Sequence, residues 1–551
     1  MHLSEAGIAN RTWWEERGYF LPEFNRTEVL ERTSKNPRWI HFGGGNIFRA
    51  FLAEISQQLL DQGKTDTGVI VASGQGSVLQ VYRPADNLCI SVKLKDDETI
   101  EKRVIGCIAE SRVMDSAGED WKRLKEIFSL KSLQMASFTI TEKAYKLIGP
   151  DGEYYKEVLA DLQNGPHTPQ SYMGMVAALC LERYRKGAWP MALVSMDNYS
   201  HNGDQLHHSI HTFAEIWEKE GKADRGFVDY VDDQKKLSFP WTMIDKITPG
   251  PNTFVKELLK KDGLENIEPF ETERKTNTAI FVNAEETGYL VIEDSFPNGR
   301  PLLEEAGVIF ASREMVDKVE RMKVCTCLNP LHSTLAIFGC LLGYRYIWKE
   351  MRDPELSVFV REMGYKEELP VAEDPGILNP KEFMDTVLDK RFSNPFVPDS
   401  PQRIAIDLSQ KIPIRFGRVL QIYANRTDRK IEKLKYIPFV LAGYLRYLMG
   451  VDDAGEEMAV SEDPRREELQ SYLKEVRLGD LKVPKSILRE ILSKKEIFGV
   501  DLCEEGLAEI IIQNFTKMIQ GPGAVRKALK EIIKTGGEEA RWKEKEESMR
   551  S

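Results

Sequence analysis

Residues 39–72 read WIHFGGGNIFRAFLAEISQQLLDQGKTDTGVIVA, and this stretch decides the fold. Trp39-Ile40-His41-Phe42 is a short apolar and aromatic run, the pattern of a buried strand. Gly43, Gly44 and Gly45 follow at once. Phe48, Phe51, Leu52, Ile55, Leu59 and Leu60 then recur at helical spacing until Gly63 ends the helix. Thr67 to Ala72 predicts a second strand. Strand, glycine turn, helix and strand in about 35 residues is the plan of a βαβ nucleotide unit. Glycines let the backbone approach a pyrophosphate, and a helix start offers unpaired N–H groups and a positive dipole end. Gly43, Gly44, Gly45, Asn46, Ile47, Phe48 and Arg49 are therefore the candidate cofactor-binding residues. Many βα turns need glycine for packing alone, so the turn by itself leaves both readings standing.

Working outward, the second strand runs into Ala72-Ser73-Gly74-Gln75-Gly76. NAD-binding units often carry a carboxylate there for the ribose hydroxyls. None is present, nor an Arg that would clearly favour a 2′-phosphate, so NAD versus NADP stays open on residue grounds. Further strands are expected at 137–140, 191–196, 279–282 and 289–292, and helices at 172–185 (amphipathic) and 208–220. Asp197 to Gly203 is a polar loop at a strand's C-terminal end, where open α/β sheets place ligand contacts. After about residue 310 the texture changes. Residues 312–350, 354–364, 402–424, 429–449 and 463–476 read mostly as helix. The acidic stretch 451–467 reads as a surface excursion, and the charged tail from Gly536 to Ser551 as a frayed or solvated helix.

The 551 residues carry 76 Lys plus Arg against 87 Asp plus Glu, a formal charge of −11. That balance argues against nucleic acid or an anionic membrane as partner, since both select clustered positive charge. The longest apolar run, Tyr436 to Leu445, is about half the ~20 residues of a spanning helix. Met1-His2-Leu3-Ser4-Glu5 lacks the basic and apolar regions of a secretory signal, so a soluble cytoplasmic protein is expected. Seven scattered cysteines make a disulfide framework unexpected. Cys325 and Cys327 read as buried structural thiols, and no metal is assigned.

The densest candidate site is Lys323-Val324-Cys325-Thr326-Cys327-Leu328-Asn329-Pro330-Leu331-His332-Ser333. Asn329 and His332, three apart, share one face of a helix. A structural reading stands beside this one. Asn before Pro is how a helix starts, with Asn329 as cap and Pro330 in the first turn.

The chain resembles the polyol-specific long-chain dehydrogenase (mannitol dehydrogenase) family. The segments that carry the likeness are HFGGGNIFRAF (41–51), SFTITEKAY (137–145), SMDNYSHNG (195–203), FPWTMIDKITP (239–249), EDSFPNGRP (293–301), KVCTCLNPLH (323–332) and RIAIDLSQK (403–411). They occur in the family's order, and the block at 323–345 is most similar to the fructuronate reductase (mannonate oxidoreductase) branch. The resemblance implies an α/β fold class, with an N-terminal Rossmann-type dinucleotide-binding domain (1–305) and a mainly α-helical C-terminal substrate and catalytic domain (306–551). It implies a monomer or small homo-oligomer taking a small-molecule hexuronate or aldonate. The activity it implies is NAD(P)-dependent interconversion of D-fructuronate and D-mannonate in hexuronate catabolism. A tagaturonate reductase or a mannitol or sugar-phosphate dehydrogenase is the sibling alternative. An NAD-retaining epimerase and a non-catalytic sugar-acid-binding protein are alternatives of other classes. Carried over by motif, Lys323 is the general acid/base, Asn329 and Asn198 bind the reacting oxygen, His332 orients the lysine or substrate, and Asp245 is the active-site Asp. Arg403 and Lys411 match a pair on the substrate side. Arg403 is the preferred partner of the substrate carboxylate, Lys411 and Arg300 are alternatives, and the competing role for Arg403 is an ion pair with Asp407.

One departure from the family motif bears on geometry. Five residues separate Lys323 from Asn329 where the family has four. One extra residue rotates a helix by about 100°, so a bulge or break between the two is expected.

Overall fold

The computed structural model describes residues 1–534 apart from 273, 274, 398, 429 and 481–483. The tail from Gly536 to Ser551 lies outside the described residues. The chain divides into two compact units, Met1–Asp317 and Lys318–Ser551.

The first unit is built on six parallel strands: β1 (Trp39–Phe42), β2 (Val69–Ser73), β3 (Ile108–Val113), β4 (Met135–Phe138), β5 (Met191–Ser195) and β6 (Leu237–Ser238). Their spatial order is β3-β2-β1-β4-β5-β6. This is the 3-2-1-4-5-6 order of dinucleotide-binding sheets, whose order reverses between β1 and β4. Every residue of β1, β2, β4 and β5 is buried, because helices cover both faces of the sheet. On one face lie α1 (Ala53–Asp61) and the residues around it, with Leu52, Ile55, Leu59 and Leu60 in the core. On the other lie α2 (Asp120–Ser129), α3 (Tyr172–Arg185) and α4 (Asn202–Lys219), through Leu124, Val176, Leu206 and Phe213. Helix α3 differs from the expected amphipathic helix. Ten of its fourteen residues are buried, so it is a core helix. Helix α4 starts at Asn202, earlier than expected, because His201 adopts a left-handed conformation (φ 51°) and turns the chain into it. A smaller sheet adds β7 (Thr242–Asp245), β8 (Tyr289–Glu293) and β9 (Ile309–Ala311).

The second unit contains no named strand among its described residues, as the change of texture predicts. Its central helix, Tyr436–Leu448, is buried at every position and packs against Ala508–Met518 and Asn329–Leu341. Helix Ala508–Met518, from beyond residue 450, thus completes this core. Fully buried Arg446 donates to the carbonyls of Met518, Val451 and Asp452. The acidic 451–467 stretch is mostly surface, but Asp453 turns inward and accepts from the N–H groups of Val525 and Arg526. The expected helix over 402–424 is broken at Asp407, whose φ is 55°, into Pro401–Ile404, Leu408–Ile412, a π turn at Pro413–Gly417, and Arg418–Asn425. The helical run Arg313–Leu341 has the length and composition to span a bilayer, but 78% of its apolar window is buried inside the protein, as in a core helix.

Candidate active site

The glycine turn leaves β1 at the point where the strand order reverses. Gly43 has φ 105°, and a Cβ there would lie 2.2 Å from the Thr139 carbonyl oxygen. Its N–H donates to Ala72 O (2.9 Å), and Thr139 Oγ1 donates to its carbonyl (3.2 Å). Gly44 is crowded by Tyr82, whose hydroxyl donates to Gly44 O (2.7 Å), while Gly44 N donates to Ser73 Oγ (3.2 Å). Gly43 and Gly44 are therefore demanded by packing. At Gly45 a Cβ would meet nothing within 4 Å, so this is where the backbone is open to a ligand. The first bond of the following helix runs from Arg49 N to Gly45 O. The N–H groups of Asn46, Ile47 and Phe48 thus precede the ladder, as an anion site at a helix start requires. A π turn, Phe48–Leu52, then leads into α1.

Two candidate cofactor residues have other work for their side chains. Phe48 is fully buried and stacks on His41, ring centroids 4.3 Å apart. Arg49 is also fully buried and donates to Ala279 O (2.6 Å), Thr278 Oγ1 (3.0 Å) and Asn46 Oδ1 (3.0 Å). It clamps the turn to the neighbouring sheet, and its charge is not presented to a cofactor. His41, below the turn, lies between Ser137 Oγ (2.7 Å) and Thr139 Oγ1 (2.9 Å), and burial lowers its pKa to about 3.

Across the switch point, the loops after β4 and β5 are tied together by Asp197. Its carboxylate accepts from Ile140 N (2.8 Å), Thr141 N (3.1 Å) and Tyr145 OH (2.8 Å), and burial pushes its pKa up against those donors. Thr141 is held at φ 72°, ψ 150°, a conformation that strains a β-branched residue and is found most often at functional sites. Asn202 staples the same loop to β7: its amide donates to Asp197 O and Thr242 Oγ1 and accepts from Thr242 N. Asn198 stands exposed on this braced loop, and Asp245 is buried at the C-terminal end of β7. Arg300 is engaged at both ends, by Asp294 (3.0 Å) and Glu304 (2.5 Å), and lies on the Phe310 ring. It braces the 294–310 segment.

In the second unit, the extra residue after Lys323 is absorbed as expected. Lys323–Cys327 form a π turn closed by Leu328 N donating to Lys323 O (3.2 Å), and Leu328 (φ −133°, ψ −62°) breaks the helix before Asn329–Leu341. Lys323 is 3% exposed, so the lysine is not a surface residue. The cap position falls to Leu328, which takes Asn329 out of the capping role that Asn-Pro predicts. Burial pushes the Cys325 thiol up to about 11 and the Cys327 thiol up to about 12, in keeping with structural thiols.

His332, one helical turn after Asn329, has Nε2 3.3 Å from Asp399 Oδ2, within ion-pairing reach but not aligned for a hydrogen bond. Burial holds its pKa below the ordinary value, favouring the neutral ring. Asp399 also accepts from Arg403 Nε (2.9 Å) and Nη2. Burial would raise the Asp399 carboxyl, but His332 and Arg403 together hold it below its usual range. Arg403 is thus ion-paired with Asp399, four residues before it, and not with Asp407, four residues after. Lys411 Nζ donates to the carbonyls of Ile404 and Ile406, and its pKa is lowered to about 8, first by burial and then by the charge of Arg415. The sequence reading missed Arg415, whose guanidinium donates to Ser333 Oγ (2.5 Å) and to Asn329 O. It also missed a possible metal-holding group on the first unit: His207 and His211, four apart on α4, both approach Asp232 Oδ1, at 3.1 and 2.8 Å. The His-x3-His spacing was the available signal.

Sheet order, glycine turn and helix start together define a dinucleotide-binding α/β protein with a second, helical unit. The mannitol dehydrogenase Rossmann domain matches residues 37–305, and the mannitol dehydrogenase C-terminal domain matches residues 315–519. The chain belongs to the mannitol dehydrogenase family and is an oxidoreductase. It is 50% identical over 537 residues to the D-mannonate oxidoreductase of Thermotoga maritima, covering 97% of this chain and 99% of that one. Two solved structures are each 23% identical, a level at which they show the shared fold alone. Pseudomonas fluorescens mannitol 2-dehydrogenase, in a ternary complex with NAD and D-mannitol, aligns with a TM-score of 0.68 over 97% of this chain and 100% of its own. A D-sorbitol dehydrogenase in substrate-free form aligns with a TM-score of 0.77 over 95% and 100%.

Proposed function

We propose that the chain is an NAD-dependent hexuronate reductase that interconverts D-fructuronate and D-mannonate. The observation that carries this reading is the 50% identity, over nearly the whole length of both chains, to a protein named D-mannonate oxidoreductase. The cations of the second unit support it, because Lys411 and Arg415 are cations bonded to neutral acceptors and suited to an anionic substrate.

Residues 1–305 carry the cofactor and 306–551 most of the substrate contacts. The turn fits a dinucleotide: Gly45 leaves room for a pyrophosphate, and Asn46, Ile47 and Phe48 offer it backbone N–H groups. Ser73 and Gly74, at the end of β2, place no negative charge against a 2′-phosphate, so NADP also belongs in the assay. When bound, the nicotinamide supplies hydride to the substrate ketone and takes it back in the reverse reaction.

As negative charge grows on the ketone oxygen, the amides of Asn198 and Asn329 stabilise it. Lys323 Nζ gives that oxygen its proton, and removes one when the alcohol is oxidised. His332, whose Nε2 lies 3.3 Å from Asp399 Oδ2, orients the lysine or the substrate, and Asp245 completes the polar surround. Arg403 and Lys411 flank the substrate. This is a cytoplasmic activity on a small molecule, carried out by a monomer or small homo-oligomer.

The test is oxidation of NADH and of NADPH with D-fructuronate, D-tagaturonate, fructose and fructose 6-phosphate. The reading predicts rapid NADH oxidation with D-fructuronate and D-mannonate as product. Faster turnover of a neutral ketose, or conversion of substrate without net NADH oxidation, would overturn it.

A further inference from the structure

Buried and half-buried cations in this chain mostly have visible counter-charges or a lattice of carbonyls. Arg300 has Asp294 and Glu304, and Arg446 has three carbonyls; Arg403, which is exposed, is also paired, with Asp399. Arg415 is different. It projects from the π turn Pro413–Gly417, which packs against the π turn carrying Lys323. Its only partners among the described residues are the Ser333 hydroxyl and the Asn329 carbonyl, both neutral and both met by Nη1. No carboxylate pairs with it among the described residues. A guanidinium carries five donors in a planar fork, so Nη1 in use leaves the edge formed by Nε and Nη2, the edge that binds a carboxylate through two parallel hydrogen bonds. Removing such a cation from water without a counter-charge is costly. Its burial shows in a pKa lowered to about 10. An anionic ligand would supply the missing charge.

The position of Arg415 also gives it reach. It is bonded to the backbone of Asn329, the residue assigned to the reacting oxygen, and its charge acts on Lys411 and His332. A carboxylate seated on it would fix the distance from the acid group of a sugar acid to the carbonyl being reduced.

We propose that Arg415 binds the substrate carboxylate and so sets the preference for hexuronates over neutral ketoses. This assignment replaces Arg403, whose charge Asp399 already meets, and it rests on the hexuronate activity proposed above. Its test is the kinetics of Arg415→Ala, Arg415→Gln and Arg415→Lys on D-fructuronate and fructose, with NADH binding and thermal midpoint measured as checks on folding. The expected result is a KM for D-fructuronate raised about 100-fold in Arg415→Ala, with a smaller change in kcat. Arg415→Lys should fall between, and added guanidinium should restore part of the loss. A KM within twofold of wild type in every folded variant would overturn the assignment. So would a fall in kcat with KM unchanged, since that is what a mere support for Asn329 would give. A wild type that reduces no hexuronate would sink the activity itself, and this assignment with it. An active wild type with unaffected variants would sink the assignment alone.

Discussion

Arg403 shows what single residues reveal and conceal in a sequence. An i,i+4 carboxylate was foreseeable on either side of it, and Asp407 and Asp399 are equally spaced. The structure chooses Asp399 because Asp407 turns left-handed and ends the helix between them. Arg415 carried no signal, since its meaning lies in the absence of a carboxylate partner among the described residues, which is a fact of packing. His41 was legible only as a strand residue. Burial lowers its pKa to about 3 from an ordinary value near 6.5. Between those values the unfolded chain holds the extra proton, so each unit of falling pH removes about 1.4 kcal/mol of stability. Above pH 6.5 the contribution is constant. Urea unfolding from pH 7 to 4 should show His41→Gln, although less stable at pH 7, losing about 3 kcal/mol less than wild type over that interval. Parallel losses in the two proteins would mean that His41 titrates normally in the fold.

At the scale of elements, the strand–turn–helix–strand unit was readable because its apolar periodicity and glycines agree. The strands Cys89–Leu94, Ile100–Ile105 and β3 were not. They carry Lys93, Lys102, Arg103, Glu110 and Arg112, which interrupt the apolar pattern of a buried strand and are met in ion pairs such as Glu110 with Arg112 and Arg123. The break after Lys323 was readable from spacing, but its form, a π turn over Lys323–Cys327, was not. π turns often mark functional sites, and here one follows the glycine turn, one holds Lys323 and one holds Arg415. The three glycines divide into two jobs, which predicts different mutant behaviour. Gly43→Ala, with positive φ and a Cβ against the Thr139 carbonyl, should lose about 1–3 kcal/mol in thermal or urea unfolding. Gly45→Ala should keep wild-type stability but bind NADH more weakly in a fluorescence titration. The opposite pattern would mean that the turn meets no cofactor at Gly45.

For the whole molecule, the expected fold class, a sheet-bearing N-terminal part and a mainly helical C-terminal part, matches the fold, and helix Ala508–Met518, beyond residue 450, proves to be core. A net charge of −11 cannot attract an anionic sugar acid or dinucleotide. Binding is therefore proposed to rest on local groups: the open helix start at Gly45 for the dinucleotide, and Lys411, Arg415 and buried Lys323 for the sugar acid. The central claim is that these groups serve reduction of a hexuronate with Lys323 as proton donor. It is tested most directly by measuring NADH-dependent turnover of D-fructuronate by wild type and Lys323→Ala, with NADH affinity measured in both. The account predicts that wild type forms D-mannonate, and that the variant binds NADH normally while kcat falls about 10²–10⁴-fold. Equal turnover by the two proteins would contradict it.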